Sequence, residues 1–448
     1  MKPTLNETHD ASVQSWVDSA NRTGADFPIQ NLPFGAFRRA GSQDAFRVGV
    51  AIGDFVLDVA ACVDPLDATA SDAAKACAAP VLNPLMALGR DAWSALRRAL
   101  FEGLRAGSKK RSALEPHLVA LSAVEMALPV SVPNFTDFYA SINHATNAGR
   151  MFRPDEPLLP NYKHVPIAYN GRRSTVRLGG ETVTRPCGQI NAGGAGPVFQ
   201  AARSLDFEVE LGVYLGEASH WGVPVGIGDA GAHIFGYSLL NDWSARDIQA
   251  WEYRPLGPYL AKTFATSVAP WIVTAEALAP YAVPAPARPS GDPQPLPYLT
   301  DEGDRAHGGL DMVMETFLRT PGMIERGLPP ERIARVRTSE GLYWTVAQMI
   351  AHQTSNGCNI EVGDLFGTGT ISGTTPDSLG SMLEITRRGE SPLQLPDGET
   401  RVFLEDGDEV TMTGYCERDG AARIGFGRLT SVIGAARADI GLRNGAAA

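Results

Sequence analysis

Ile234–Thr266 packs more conflicting chemistry into one span than any other stretch of this chain. It opens with Phe235, Tyr237, Leu239 and Leu240, as a buried strand would. It then turns at once into Asn241-Asp242-Trp243-Ser244-Ala245-Arg246-Asp247-Ile248-Gln249, with Tyr253 and Lys262 close behind. A charge at the end of a buried strand loses hydration unless it finds a partner. The chain can therefore fold only where these acids and cations meet each other, a ligand or solvent. Such density points to a site. A solvated turn with incidental ion pairs is the other way to house it.

Further acids are spaced to converge on it. Leu205–Leu215 alternates with a period of two, so Phe207, Val209 and Leu211 face one way and Asp206, Glu208 and Glu210 the other. At about 3.3 Å per residue, Glu208 and Glu210 stand roughly 7 Å apart on one face, close enough to share a cation. A wet face of a half-buried sheet gives the same pattern. Phe135–Arg153 places Asp137, Tyr139, His144 and Arg153 in quick succession, and Tyr169 precedes a turn. Gly363–Gly373 is a strand running into a glycine-rich turn that includes Gly369 and Thr370. It lacks the Lys-Ser/Thr of a phosphate loop, which argues against nucleotide binding. Gly380–Ile385 puts Glu384 inside an apolar strand.

The rest of the chain reads as support. Residues 1–30 form a polar lead-in draped on the surface. Gly53-Asp54 between two alternating apolar runs is a hairpin signal. Asn83-Pro84 starts a helix that carries Leu85, Leu88, Trp93, Leu96, Leu100 and Leu104 inward, with Arg97, Arg98 and Glu102 mostly outward. Residues 1–128 thus form a small domain without convergent polar groups. Pro129 and Pro133 bracket the boundary to a larger catalytic domain over 129–440, and 441–448 should fray. Within that domain Tyr281–Pro297 is a rigid proline-rich loop, Leu310–Thr320 a strand and Thr345–His352 a helix. Short strands, glycine turns and no regular βαβ alternation make the whole mainly β or α+β.

Composition closes off several functions. A formal charge of −11 and no basic stripe argue against nucleic acid. No apolar run is long enough to span a membrane, and the N-terminus has no signal-peptide pattern. Five scattered cysteines without a CxxC pair fit reduced thiols in the cytosol, neither a disulfide framework nor a zinc site.

Asp137, Glu208, Glu210 and Asp242 make an all-oxygen ligand set of the kind that selects Mg²⁺ or Ca²⁺, and Lys262 and Arg246 could offset its excess negative charge. At these residues the chain resembles the fumarylacetoacetate hydrolase superfamily, in its full-length two-domain type. The likeness spans nearly the whole sequence and is tightest in TDFYASINHATNAGRMFR, LLPNYKHVPIAYNGR, LDFEVELGVYLG, NDWSARDIQAWEYRPLGPYLAK, SNGCNIEVGDLFGTGTISG and GSMLE. It departs in the longer polar N-terminus and in Thr320–Ser339.

The resemblance implies a small β-barrel-like N-terminal domain, a larger mixed β-sandwich and roll, and a homodimer in the cytoplasm. It implies metal-dependent hydrolysis of the carbon–carbon bond of 4-fumarylacetoacetate to fumarate and acetoacetate, in tyrosine and phenylalanine catabolism. Asp137, Glu208, Glu210 and Asp242 would hold the divalent cation, with Lys262 and Thr266 in the same cluster. His144 would be the general base and Glu384 its orienting acid. Arg246, Gln249 and Lys262 would stabilise the oxyanion. Tyr139, Arg153, Tyr169, Gln249, Tyr253, Gly369 and Thr370 would bind the diketo acid. An acylpyruvate hydrolase or oxo-acid decarboxylase of the same superfamily, and a non-catalytic metal-binding scaffold, are the competing readings.

Overall fold

The computed structural model of the protein describes residues 4–437 apart from 192, 194 and 195. The tail expected to fray, 441–448, lies outside the described residues.

Apolar alternation and tight turns build a curled antiparallel sheet first. Its strands run in the order Leu118–Ala120, Phe55–Asp58, Arg47–Ile52, Phe34–Arg39, Val124–Ala127. The Gly53-Asp54 hairpin is present, with Ile52 opposite Phe55 and Gly53 at φ 55°, the positive value a two-residue turn needs at its first position. The helix expected from Asn83 is broken. Asn83–Met86 closes at its C-cap Ala87, and Arg90–Leu104 starts anew from Gly89, an N-cap whose φ of 80° no helix interior tolerates.

Two readings of this region are corrected. Arg97 is buried, not outward: its guanidinium donates to Thr8 Oγ1 at 3.2 Å, Asn31 O at 2.8 Å and Gln30 O at 2.5 Å. The lead-in is likewise no surface drape. Thr8, Val17, Phe27, Ile29 and Gln30 are buried, and polar groups of this segment and of the adjoining Asn31 are what Arg97 satisfies. Polar residues went inside because one cation could pair with several acceptors at once.

A mixed sheet carries the centre of the molecule. In order, its strands are Ala168–Asn170, Phe135–Phe138, Leu365–Gly367, Val209–Leu215, Ile234–Asp242, Thr266–Val268 and Val176–Leu178, with Val273–Thr274 also on Ile234–Asp242. A further sheet runs Glu331–Arg337, Val313–Arg319, Glu409–Cys416, Ile424–Gly434, Val183–Thr184. Val209, Leu211 and Leu239 of the first, with Phe207 just before it, pack against Met314, Leu318, Val410, Met412, Phe426 and Leu429 of the second, a sandwich core. The mainly β expectation therefore stands. Thr320–Ser339, which departs from the pattern, supplies a short helix (Pro321–Glu325) capped by Thr320 and the edge strand Glu331–Arg337.

The N-terminal sheet is welded to this body. Phe34 pairs with Ile272 across the junction, Gly425 N donates to Asp26 O, and Asn31 Nδ2 donates to Gly425 O at 2.7 Å. The helix expected at Thr345 is Val346–Thr354, closed at its start by a reciprocal Thr345/Gln348 capping box. Among the described residues no helix is long and apolar enough to cross a membrane.

Candidate active site

Register puts the acids together. Val209 lies opposite Asn241, so Glu208, one residue past the ladder, faces Asp242. Asp242 pairs with Thr266, Asp137 with Tyr169, and Gly367 lies beside Asp137 in parallel. Side chains alternate across a strand, so this register sends Glu208, Glu210, Asp242 and Asp137 to one point. Each offers an oxygen within 4.8 Å of the others, and all four are buried. Gly367 makes the approach possible, since a Cβ there would stand 2.5 Å from Asp137 Oδ1 and 2.7 Å from Glu210 Oε2.

The strand Leu205–Leu215 departs from expectation in one respect. Leu205–Asp206 pairs with Ser244–Ala245, and Val209–Leu215 forms a separate strand, with Glu208 at the joint. Its acidic face is dry, which removes the wet-face reading. Glu208 N donates to Asn241 Oδ1 at 3.0 Å, and Ser244 Oγ donates to Glu208 Oε1 at 3.1 Å.

Cations and hydroxyls close the cluster on one side. Lys262 Nζ donates to Glu208 Oε2 and, at 3.0 Å, to Asp242 Oδ2. Thr266 Oγ1 and Tyr169 Oη each donate to Asp242 at 2.7 Å. Arg246 Nη1 reaches Glu208 Oε1 at 2.8 Å and Gln249 Oε1 at 3.2 Å. Burial opposes the charge on Glu208, but Lys262 and Arg246 outweigh it and hold this carboxyl well below its ordinary range. Burial likewise opposes the Lys262 charge, and Asp242 and Glu208 reverse the balance, so the ammonium is retained.

The other side lacks such partners. Burial, then the Asp242 carboxylate, pushes Asp137 well up; burial, then Asp137, does the same to Glu210. Asp137 Oδ1 and Glu210 Oε1 are buried without a hydrogen-bond partner. Unpaired buried carboxylate oxygens are costly, and a hard divalent cation answers both at once. The residues present fit such an ion.

Beside the cluster stands a histidine–carboxylate pair. His144 sits on the helix Ile142–Phe152, whose N-cap is Ser141. Its Nδ1 lies 2.7 Å from Glu384 Oε2, both side chains nearly fully buried. Glu384 is not in a strand, as its apolar neighbours suggested, but in the short helix Met382–Ile385 capped by Ser381. That turn lets Ser381 Oγ, Ser372 Oγ and Asn147 Nδ2 all donate to its carboxylate, at 2.9, 2.8 and 2.8 Å. Burial would raise the Glu384 carboxyl, but His144, Asn147 and Ser372 keep it below the ordinary range. The Tyr139 ring meets His144 edge-on, centroids 5.5 Å apart.

Other expected residues fall at different distances from this centre. Gly369 N donates to Glu210 Oε2 at 3.0 Å from a left-handed backbone at φ 74°. Thr370 Oγ1 is buried and unpartnered. Arg153 Nη2 donates to Pro157 O at 3.1 Å, with Nε buried and unpaired. Tyr253 caps the helix Arg246–Glu252 at its C-terminus, and the Arg254 guanidinium lies over its ring, 5.1 Å from the centroid. Sequence reasoning missed Asp206, Asn147, Ser372, Ser381 and Gly367 as parts of the site. Asp206 carried a signal, since it shares the acidic face with Glu208; the polar residues around Glu384 carried none.

Fold and site define a class: a mainly β protein built around a buried carboxylate centre, served by a lysine, an arginine and a His–Glu pair. The family model described as fumarylacetoacetate hydrolase, C-terminal, matches residues 134–433, and that described as fumarylacetoacetase, N-terminal, matches 30–129. The chain belongs to the fumarylacetoacetate hydrolase family. It is 42% identical over 431 residues to the fumarylacetoacetase of Oryza sativa subsp. japonica, covering 94% of this chain and 97% of that one. Against the fumarylacetoacetase of Homo sapiens it is 42% identical over 422 residues, 91% and 96% of the two chains. Among solved structures, a fumarylacetoacetate hydrolase from Exiguobacterium antarcticum matches with a TM-score of 0.49 and 18% identity, over 91% of this chain and 100% of that one.

Proposed function

We propose that this protein hydrolyses the carbon–carbon bond between the two keto groups of 4-fumarylacetoacetate, releasing fumarate and acetoacetate. The observation that carries the reading is the buried His144–Glu384 pair beside four converging carboxylates, two of whose oxygens have no partner. Family membership and relatives named fumarylacetoacetase support it.

The residues divide the work. Asp137, Glu208, Glu210 and Asp242 would hold Mg²⁺ or Ca²⁺, with Lys262 and Thr266 bracing Asp242. When bound, such an ion supplies a Lewis acid for the diketone oxygens. Glu384 takes Nδ1 of His144, which leaves Nε2 to accept a proton from water as it attacks the carbonyl carbon. Arg246, Gln249 and Lys262 meet the negative charge that develops on the attacked oxygen. The carbon–carbon bond then breaks, its electron pair leaves as the acetoacetate enolate, and the proton held on His144 returns to that carbon. Tyr139, Arg153, Tyr169, Tyr253, Gly369 and Thr370 bind the substrate and its carboxylates. The same reading assigns 1–128 to a supporting domain and 129–440 to the catalytic one, in a cytoplasmic homodimer.

The test is loss of diketone absorbance from fumarylacetoacetate with purified protein, before and after chelation. We expect turnover, its loss on chelation and its recovery with Mg²⁺ or Ca²⁺. Full turnover by metal-stripped protein, or hydrolysis of acylpyruvates in preference to fumarylacetoacetate, would overturn the reading.

A further inference from the structure

Asp206 is fully buried and belongs to neither the carboxylate cluster nor the His–Glu pair. Its oxygens reach three donors from two directions. Oδ1 accepts the backbone N–H of Met382 at 2.6 Å, and Oδ2 that of Leu383 at 3.1 Å. Oδ2 also accepts Nε of Arg246 at 2.8 Å. Met382 and Leu383 open the helix that carries Glu384. One anion thus touches both the arginine and the element that orients the histidine.

The division of donors matters. An arginine beside a carboxylate ordinarily forms a fork, two parallel N–H bonds to its two oxygens. A side-on fork here would use Nε and Nη2. Because Met382 N–H draws Oδ1 away, Asp206 takes Nε alone. Glu208 offers no fork either, since Lys262 occupies its Oε2 and Arg246 reaches only Oε1, through Nη1. Nη2 is consequently buried with no partner. A guanidinium N–H left unpaired in a dry site is costly unless something that binds there accepts from it.

We propose that Asp206 is a positioning residue for the reaction: it holds Arg246 by Nε alone and ties it to the Glu384 helix, so that Nη2 stays free for the oxyanion. The proposal rests on the hydrolytic function proposed above. Without the anion, Arg246 would be free to swing and satisfy itself on Glu208, and its free donor would be lost. Asp206 touches no substrate in this scheme and acts only through Arg246 and the Met382–Ile385 helix.

The test compares Asp206→Asn, Arg246→Met and the double variant for kcat, KM, metal content and thermal midpoint. Asp206→Asn should lower kcat by about 10- to 100-fold, with KM and metal content nearly unchanged. In the Arg246→Met background the same substitution should add less than about threefold, because the group it acts through is gone. A kcat for Asp206→Asn within about threefold of the unaltered protein, or losses that multiply in the double variant, would sink the proposal. Should Asp206→Asn fail to fold, a crystal structure of the unaltered protein with a tetrahedral phosphinate analogue decides. Arg246 Nη2 must then donate to a phosphinyl oxygen while Nε stays on Asp206; Nη2 turned onto Asp206 or Glu208 overturns it. Lack of fumarylacetoacetate turnover by the unaltered protein counts against the function itself, whereas the Asp206 proposal is judged by variant ratios and by this geometry.

Discussion

At the scale of single residues, the clearest asymmetry lies between His144 and Glu384. In the proposed reaction the imidazole would do the proton transfer, and the carboxylate would aim it. His144→Asn should therefore cost about 10²–10⁴ in turnover with metal content intact, and Glu384→Gln less. Equal turnover for His144→Asn and the unaltered protein would place the base elsewhere. Asp364 offers a test away from the chemistry. It accepts from Asn134 Nδ2 and Glu361 N, both at 2.9 Å, yet burial dominates and pushes its carboxyl up from 3.8 to about 6. The folded protein then holds the extra proton between those values, so this contribution is full below about 3.8 and lost as pH rises through about 6. Against an Asp364→Asn variant, the unaltered protein should gain about 2 kcal/mol of unfolding free energy between pH 7 and pH 4. A constant difference across that range, in paired denaturant titrations, would refute it.

At the scale of elements, the site depends on what a strand omits. Leu365–Gly367 ends under Asp137 and Glu210, and only a residue without a Cβ leaves room for both carboxylates. Gly367→Ala should thus lower metal affinity by about 10- to 100-fold while the sheet still forms, as changes that displace ligands commonly do. Elemental analysis after dialysis, with circular dichroism alongside, reads both quantities. Retained metal and turnover would show that the strand can shift to make room. The helix Met382–Ile385 shows the converse. Its run of apolar residues suggested a strand, but Ser381 caps it and the local turn gathers three donors on Glu384. Four residues are too few for periodicity to separate helix from strand.

At the scale of the whole molecule, one buried cation on the helix Arg90–Leu104 ties down the N-terminal segment. Arg97 bonds two backbone carbonyls and a hydroxyl of residues 8–31, and burial depresses it to about 10. Arg97→Met would strand those acceptors in the interior, at about 1–3 kcal/mol for each group left unsatisfied, less the cost of burying the charge. We expect a net loss of about 2–4 kcal/mol, read as a lower denaturant midpoint, with kcat per folded molecule unchanged. A variant as stable as the unaltered protein would mean that water or a rearranged segment replaces the guanidinium.

Much of the site is legible in the order of the residues alone. Glu208 and Glu210 advertise themselves by alternation, and Asp242, Arg246 and Lys262 by their density after a buried strand, because charge without hydration demands a partner. The hairpin at Gly53, the mainly β run of short strands and the helix at Thr345 follow from local periodicity and turn chemistry, whereas the sandwich was implied only by the family resemblance. Tertiary structure alone decided the rest. It set the register that faces Glu208 to Asp242, found room over Gly367 for two carboxylates, and put Arg97 inside. It also sent the two oxygens of Asp206 to Met382 and Leu383, about 176 positions along the chain. Local periodicity dictates which face a side chain takes, but a buried polar group is satisfied by whichever partner packing brings near, however distant along the chain.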